Sequence, residues 1–174
     1  MTENGPHSME DSTYETSDLG VIIVDHGSRR SQSNEMLLQV VHLFQTSSRY
    51  KIVEPAHMEL AEPSIATAFD RCVSQGARLV IINPYFLLPG RHWSQDIPAL
   101  AADVAQRHSG IRFLVTAPLG LHPLMAQIMQ SRIDHCLAHV KGEAGPCDVC
   151  QGTDHCRMFQ VEGARSDKEQ DAEK

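Results

Sequence analysis

Two histidines leave short apolar runs on stiff turns. His26 follows Gly20-Val21-Ile22-Ile23-Val24-Asp25, and His92 closes Leu87-Leu88-Pro89-Gly90-Arg91. Imidazole is a common metal ligand, and with an unperturbed pKa of about 6.5 it can accept a proton near neutrality. Glu59, in His57-Met58-Glu59-Leu60, brings a carboxylate from a third segment. Two imidazoles and a carboxylate from separate segments make an open site for a divalent first-row metal, without choosing iron over cobalt. His57 lies two residues before Glu59. If both sit in a strand they share a face, and His57 is then a third imidazole at the metal or on a proton path. The plainer readings are a turn residue for each of His26 and His92, an acid before a helix start for Glu59, and a core histidine for His57.

A second group lies near the C-terminus. Cys147 and Cys150 form a C-x-x-C, with Cys136 before it, Cys156 after it, and His135, His139 and His155 among them. Thiols on a Gly/Pro-rich loop suit an iron–sulfur cluster, a zinc ion or a redox-active dithiol. The spacing fits neither a plant-type ferredoxin run nor a standard zinc finger. Cys72, in Ala68-Phe69-Asp70-Arg71-Cys72-Val73, reads as core. Other chemistries are poorly supported. His26-Gly27-Ser28-Arg29 has one glycine and makes no phosphate cradle, and Ser28 lacks a nucleophile elbow.

These residues need a scaffold, and the pattern supplies one. Strand-like runs at Gly20–Asp25, around Ile52–Leu60, at Leu79–Leu88 and around Ile111–Thr116 alternate with helical spacings. The first helix carries Met36, Leu37, Val40, Val41 and Phe44 at helical intervals. The second is expected to open at Pro63 and close near Gly76. Four strand–helix repeats predict an α/β fold, a parallel four-stranded sheet with helices on both faces, in the flavodoxin-like order 2-1-3-4. Ligands of such sheets bind beyond the strands' carboxyl ends where the order reverses, here between the first and third strands. His26 and His92 fall on those two loops.

With 41% hydrophobic residues among 174, the chain can bury one core. A net charge of −7 argues against a broad nucleic-acid face. No apolar run is long enough for a membrane span. The acidic start is neither a signal nor a transit peptide. The expected organisation is a disordered arm over 1–19, an α/β domain over 20–141, a Cys-rich loop over 142–160 and a disordered acidic tail over 161–174.

Three stretches, Val24–Glu35, Met58–Pro98 and Ala117–Met125, resemble the small class II chelatases that insert metal into sirohydrochlorin, their plant plastid members most of all. The Asp-His-Gly-Ser start, the Glu-x-x-x-Pro-Ser-Ile run and the Phe-Leu-x-Pro-Gly-x-His loop carry the likeness together. It implies a flavodoxin-like homodimer, with His26 and His92 as active-site histidines and Glu59 as the acid at the metal. It also implies Fe²⁺ as the substrate metal and a plastid location; the sequence has no nucleotide motif, so insertion is expected to need no ATP. Arg29, Arg30 and Arg91 would then pair with the tetrapyrrole's carboxylates, and Tyr85, Phe86, Leu87 and Leu88 would wall the macrocycle. Plant members carry a [2Fe–2S] cluster on a C-x-x-C extension, matching Cys136, Cys147, Cys150 and Cys156 here. The chain departs from many relatives at His57, where they have an aromatic. The rival readings are the same chemistry with Co²⁺, a metal-delivery protein without catalysis, and a redox module built on the cysteines.

Overall fold

The computed structural model describes residues 14–153 and 155–158, so the arm over 1–13 and the tail from 159 lie outside the described residues. Thr16–Asp18 form a 3₁₀ turn, and the Asp18 carbonyl accepts the Arg78 N–H at 2.8 Å. The elements that follow are β1 (Leu19–Asp25), α1 (Ser31–Ser47), β2 (Ile52–His57), α2 (Ile65–Ser74), β3 (Leu79–Pro84), α3 (Ile97–Ala105), β4 (Arg112–Val115) and α4 (Pro123–Val140). All strand pairs are parallel, in the order β2-β1-β3-β4. This is the expected topology, and it puts the order reversal between β1 and β3.

β1 is central and buried on both faces, which its run of Val21, Ile22, Ile23 and Val24 demands. Successive side chains point to opposite sides. Ile22 and Val24 meet α2 and α3 through Ala68, Phe69, Cys72, Ile97 and Ala101, whereas Val21 and Ile23 meet Leu37 and Val41 of α1. Phe69 is wholly buried, and truncating such a residue to alanine costs about 3–5 kcal/mol. Gly20 lets α2 lie close on β1: a Cβ there would stand 2.8 Å from Cys72 Cβ. Cys72 is core, as expected.

α2 starts two residues later than its proline implies. Ser64 is the N-cap, its hydroxyl accepting the Thr67 N–H at 3.3 Å, so Pro63 precedes the helix rather than opening it. Contacts divide the chain into two compact units between Leu121 and His122. The first holds the sheet with α1 to α3. The second holds α4, which the sequence pattern assigns to the α/β domain, together with the Cys-rich segment. No helix among the described residues is long and apolar enough to cross a membrane.

Candidate metal site at the strand ends

β1 ends at Asp25 and its continuation stays registered with β2. Met58 N–H donates to the Asp25 carbonyl at 2.9 Å, and Glu59 N–H donates to the His26 carbonyl at 3.0 Å. His26 and Glu59 are thus neighbours across a continued ladder. Between them Gly27 adopts φ +82°, and a Cβ there would come within 2.1 Å of the Glu59 carbonyl oxygen. Only glycine fits both demands. The loop then turns on Asn34, whose side chain accepts from Ser28 N–H and donates to the Ser28 carbonyl, both at 2.9 Å.

The strand period stops short of Glu59. β2 ends at His57, which is buried, while Glu59 beyond it is exposed. The expected shared face of His57 and Glu59 therefore fails, because strand alternation lasts only as long as the strand. His57 points inward, with Nδ1 2.6 Å from Asp25 Oδ1.

His92 arrives from β3 through an apolar loop. It opens a π-helical turn, His92–Asp96, that runs into α3. Such wide turns recur at functional sites. Here the turn brings Asp96 Oδ2 to 2.8 Å from His92 Nδ1. A carboxylate only accepts, so Nδ1 carries the hydrogen and Nε2 is left for other work. Trp93 Nε1–H donates to the Thr116 carbonyl at 2.8 Å and ties the turn to the end of β4.

The rings of His26 and His92 meet edge-on, with centroids 5.4 Å apart. Two imidazoles sharing one metal at bonds of about 2.1 Å and a tetrahedral angle would have centroids about 5 Å apart. The observed 5.4 Å is close to that spacing. Among the described residues no three His, Cys, Asp or Glu side chains are gathered as a ready metal cage. The arrangement is two imidazoles meeting edge-on, with an exposed carboxylate on the neighbouring strand end.

Of the other expected residues, Tyr85 to Leu88 and Arg91 lie on the segment between β3 and His92, and Arg29 and Arg30 on the loop after His26. Tyr85, Leu87 and Leu88 are exposed, Leu88 at 75%. Phe86 packs against the core and lies 6.4 Å from the His92 ring. Arg29 and Arg30 are exposed. Arg91 is exposed too, but its Nε lies 3.4 Å from Asp96 Oδ1, so part of its charge is already paired. Sequence reasoning missed Asp96, Asn34 and the Trp93–Thr116 tie. The His-x-x-x-Asp spacing is the one signal that could have found Asp96.

In the second unit, α4 side chains hold the cysteine loop. Arg132 and Asp148 form a two-pronged ion pair, its NH2–Oδ2 arm 3.0 Å long. His135 Nε2 and His139 Nδ1 meet the carbonyls of Gly145 and Ala144 at 3.1 and 3.0 Å. Cys147 and Cys150 Sγ lie 3.2 Å apart. Hydrogen bonds from the Cys150 thiol, then from backbone N–H groups, hold the Cys147 thiol below its usual pKa. Cys156 is pushed up to about 11, chiefly by its bond with Cys136 and also through Cys150. Cys147 and Cys150 are thus in direct contact, and Cys156 has Cys136 as its chief neighbour.

The sequence model of the CbiX family matches residues 20–136. The chain is 57% identical over 140 residues to a chloroplastic sirohydrochlorin ferrochelatase of Arabidopsis thaliana, covering 80% of this chain and 62% of that protein. It is 30% identical over 135 residues to a sirohydrochlorin cobaltochelatase of Priestia megaterium, covering 77% of this chain and 43% of that one. The chain thus spans less than two thirds of either relative's length. Among solved structures, the sirohydrochlorin chelatase SirB from Bacillus subtilis subspecies spizizenii in complex with cobalt superposes with a TM-score of 0.63 at 28% identity. The match covers 67% of this chain and 50% of that one.

Proposed function

This chain belongs to the CbiX family, and on that premise we propose that it is a sirohydrochlorin ferrochelatase, a lyase that inserts Fe²⁺ into sirohydrochlorin to give sirohaem without ATP. The observation that carries the reading is the edge-on pair of His26 and His92, 5.4 Å between ring centres, at the strand-order reversal. The Arabidopsis relative's activity supports it.

The chemistry follows from the geometry. His26 and His92 receive Fe²⁺ through one ring nitrogen each and leave its other positions open. Glu59, exposed on the adjoining strand end, ligates the incoming ion or takes a proton. The macrocycle docks over the exposed Tyr85, Leu87 and Leu88 with Phe86 beneath, and Arg29 and Arg30 pair with its carboxylates. Arg91 contributes less, being shared with Asp96. Two pyrrolic protons must leave as the metal enters, and a neutral imidazole on the metal's departure is a ready acceptor.

We also propose that Cys136, Cys147, Cys150 and Cys156 hold a [2Fe–2S] cluster. The thiol type, the Cys147–Cys150 contact and the placement of all four cysteines in one compact unit support it. Bound there, the cluster would supply one-electron chemistry. A homodimer in the plastid stroma completes the proposal, supported by the chloroplastic relative and by the family resemblance.

Anaerobic absorbance of the protein with sirohydrochlorin and Fe²⁺ tests the main reading. Conversion to the sirohaem spectrum faster than without protein is expected, and no acceleration would overturn it. The Priestia relative and the cobalt-bound SirB structure favour a second reading, Co²⁺ insertion. Parallel assays with Co²⁺ compare the two through kcat/KM.

A further inference from the structure

His57 is the one buried polar or charged side chain among the described residues, 2% exposed, and insertion as described above gives it no task. Its partner is Asp25. The carboxylate can only accept, so His57 Nδ1–H donates to Asp25 Oδ1 at 2.6 Å. The same oxygen accepts the Gly27 N–H at 2.9 Å. Asp25 and His57 are also paired residues of the β1–β2 ladder. The His57 backbone is fixed independently, its N–H donating to the Pro63 carbonyl at 2.7 Å. Against this pair lies Gly27, where an added Cβ would stand 3.0 Å from His57 Cβ.

We infer that His57 is a positioning residue for the metal site. Through Asp25 Oδ1 it fixes the Gly27 turn, and with it the distance between His26 and Glu59. His26 lies between Asp25 and Gly27, so its backbone is pinned on both sides by one carboxylate. That carboxylate is half-shielded at 24% side-chain exposure and needs a second donor to stay in place. The imidazole supplies this donor from below while filling core volume. An aromatic hydrocarbon there would fill the volume and leave Asp25 with the Gly27 N–H alone. The inference rests on the proposed metal site but not on sirohydrochlorin.

Asparagine places an N–H near the position of His Nδ1, whereas phenylalanine and leucine only fill space. The test compares His57→Asn, His57→Phe and His57→Leu by visible-absorption titration with Co²⁺, and by steady-state insertion. We expect the apolar variants to weaken Co²⁺ binding and lower kcat by about 10-fold or more, with KM for sirohydrochlorin within about twofold. Asparagine should restore both to within about threefold of the parent, as outer-shell hydrogen bonds do when remade. Apolar variants that bind Co²⁺ like the parent, or asparagine no better than phenylalanine, would overturn the inference. So would apolar variants that do not fold beside a folded His57→Asn, since the bond would then serve folding alone. A parent that binds Co²⁺ and makes no sirohaem would fail the proposed function, while the Co²⁺ titration would still decide the role of His57.

Discussion

His92 Nδ1 and Asp96 Oδ2 lie 2.8 Å apart across the π-helical turn, and Arg91 holds the other carboxylate oxygen. The carboxylate thus selects the His92 tautomer and leaves Nε2 without the hydrogen, the nitrogen that would meet an ion in the proposed mechanism. Outer-shell carboxylates on metal-bound histidines are typically worth about 10- to 100-fold in affinity or rate. Asp96→Ala should lower insertion within that range, and Asp96→Asn, which keeps an acceptor, should lose less. Insertion kinetics and Co²⁺ titration measure both.

His26→Ala or His92→Ala should each cut insertion by at least about 100-fold, since each removes a ligand and a proton acceptor together. Both side chains lie outside the hydrophobic core, so the thermal midpoint should move little. Near-normal turnover in either variant would sink the assignment.

Gly27→Ala should destabilise the fold by about 2 kcal/mol or more, because φ +82° strains any other residue and the new Cβ meets a carbonyl oxygen. Urea denaturation gives the magnitude. Loss of Co²⁺ binding in the fraction that remains folded would show the turn to be part of the site.

The thiols should separate by reactivity in reduced, metal-free protein. Cys147, held low by Cys150 and backbone N–H groups, should alkylate first with iodoacetamide. Cys156, pushed up to about 11, should follow later. Cys72, pushed up to about 12 by burial and then by the Glu54 charge, should stay unlabelled until the protein unfolds. Peptide mapping by mass spectrometry reads the order, and early labelling of Cys72 would contradict its packing.

At the start of α2, Glu62 is held below its usual pKa, first by the Ser64 N–H and then by the Thr67 hydroxyl. A depressed carboxyl stabilises the fold above its unfolded value, and that contribution is lost as pH falls through the folded one. Ser64→Ala should cost about 1 kcal/mol as a lost N-cap. Glu62→Gln should cost a few tenths of a kcal/mol, since the group is exposed. Its difference from the parent should disappear at acid pH in denaturant titrations.

Topology and the pair of loop histidines are legible in the sequence because both depend on period and order. Val21 to Val24 must be buried on both faces, and four strand–helix repeats leave few arrangements, so His26 and His92 had to share an edge. What is not legible depends on where a period stops. Nothing in Ala56-His57-Met58-Glu59 marks the strand end at His57, and that end turns one side chain into the core and leaves the other in solvent. Asp96 is hidden for a related reason. Its link to His92 depends on a wide turn that helical spacing alone does not announce. The role of Asp25 is hidden as well, because its second partner, His57, lies 32 positions away.

The strand order also divides the site by its rate of opening. β1 and β3, which lead to the two imidazoles, are each hydrogen-bonded on both sides, whereas β2, which leads to Glu59, is an edge strand. Interior strands exchange their amide hydrogens only in large-scale opening, while an edge can fray by itself. The histidine pair therefore stands on the slowest-exchanging part of the sheet and the carboxylate on a more yielding border. In the proposed mechanism, an acid so placed would follow an ion out of the pair and settle back without disturbing the imidazoles.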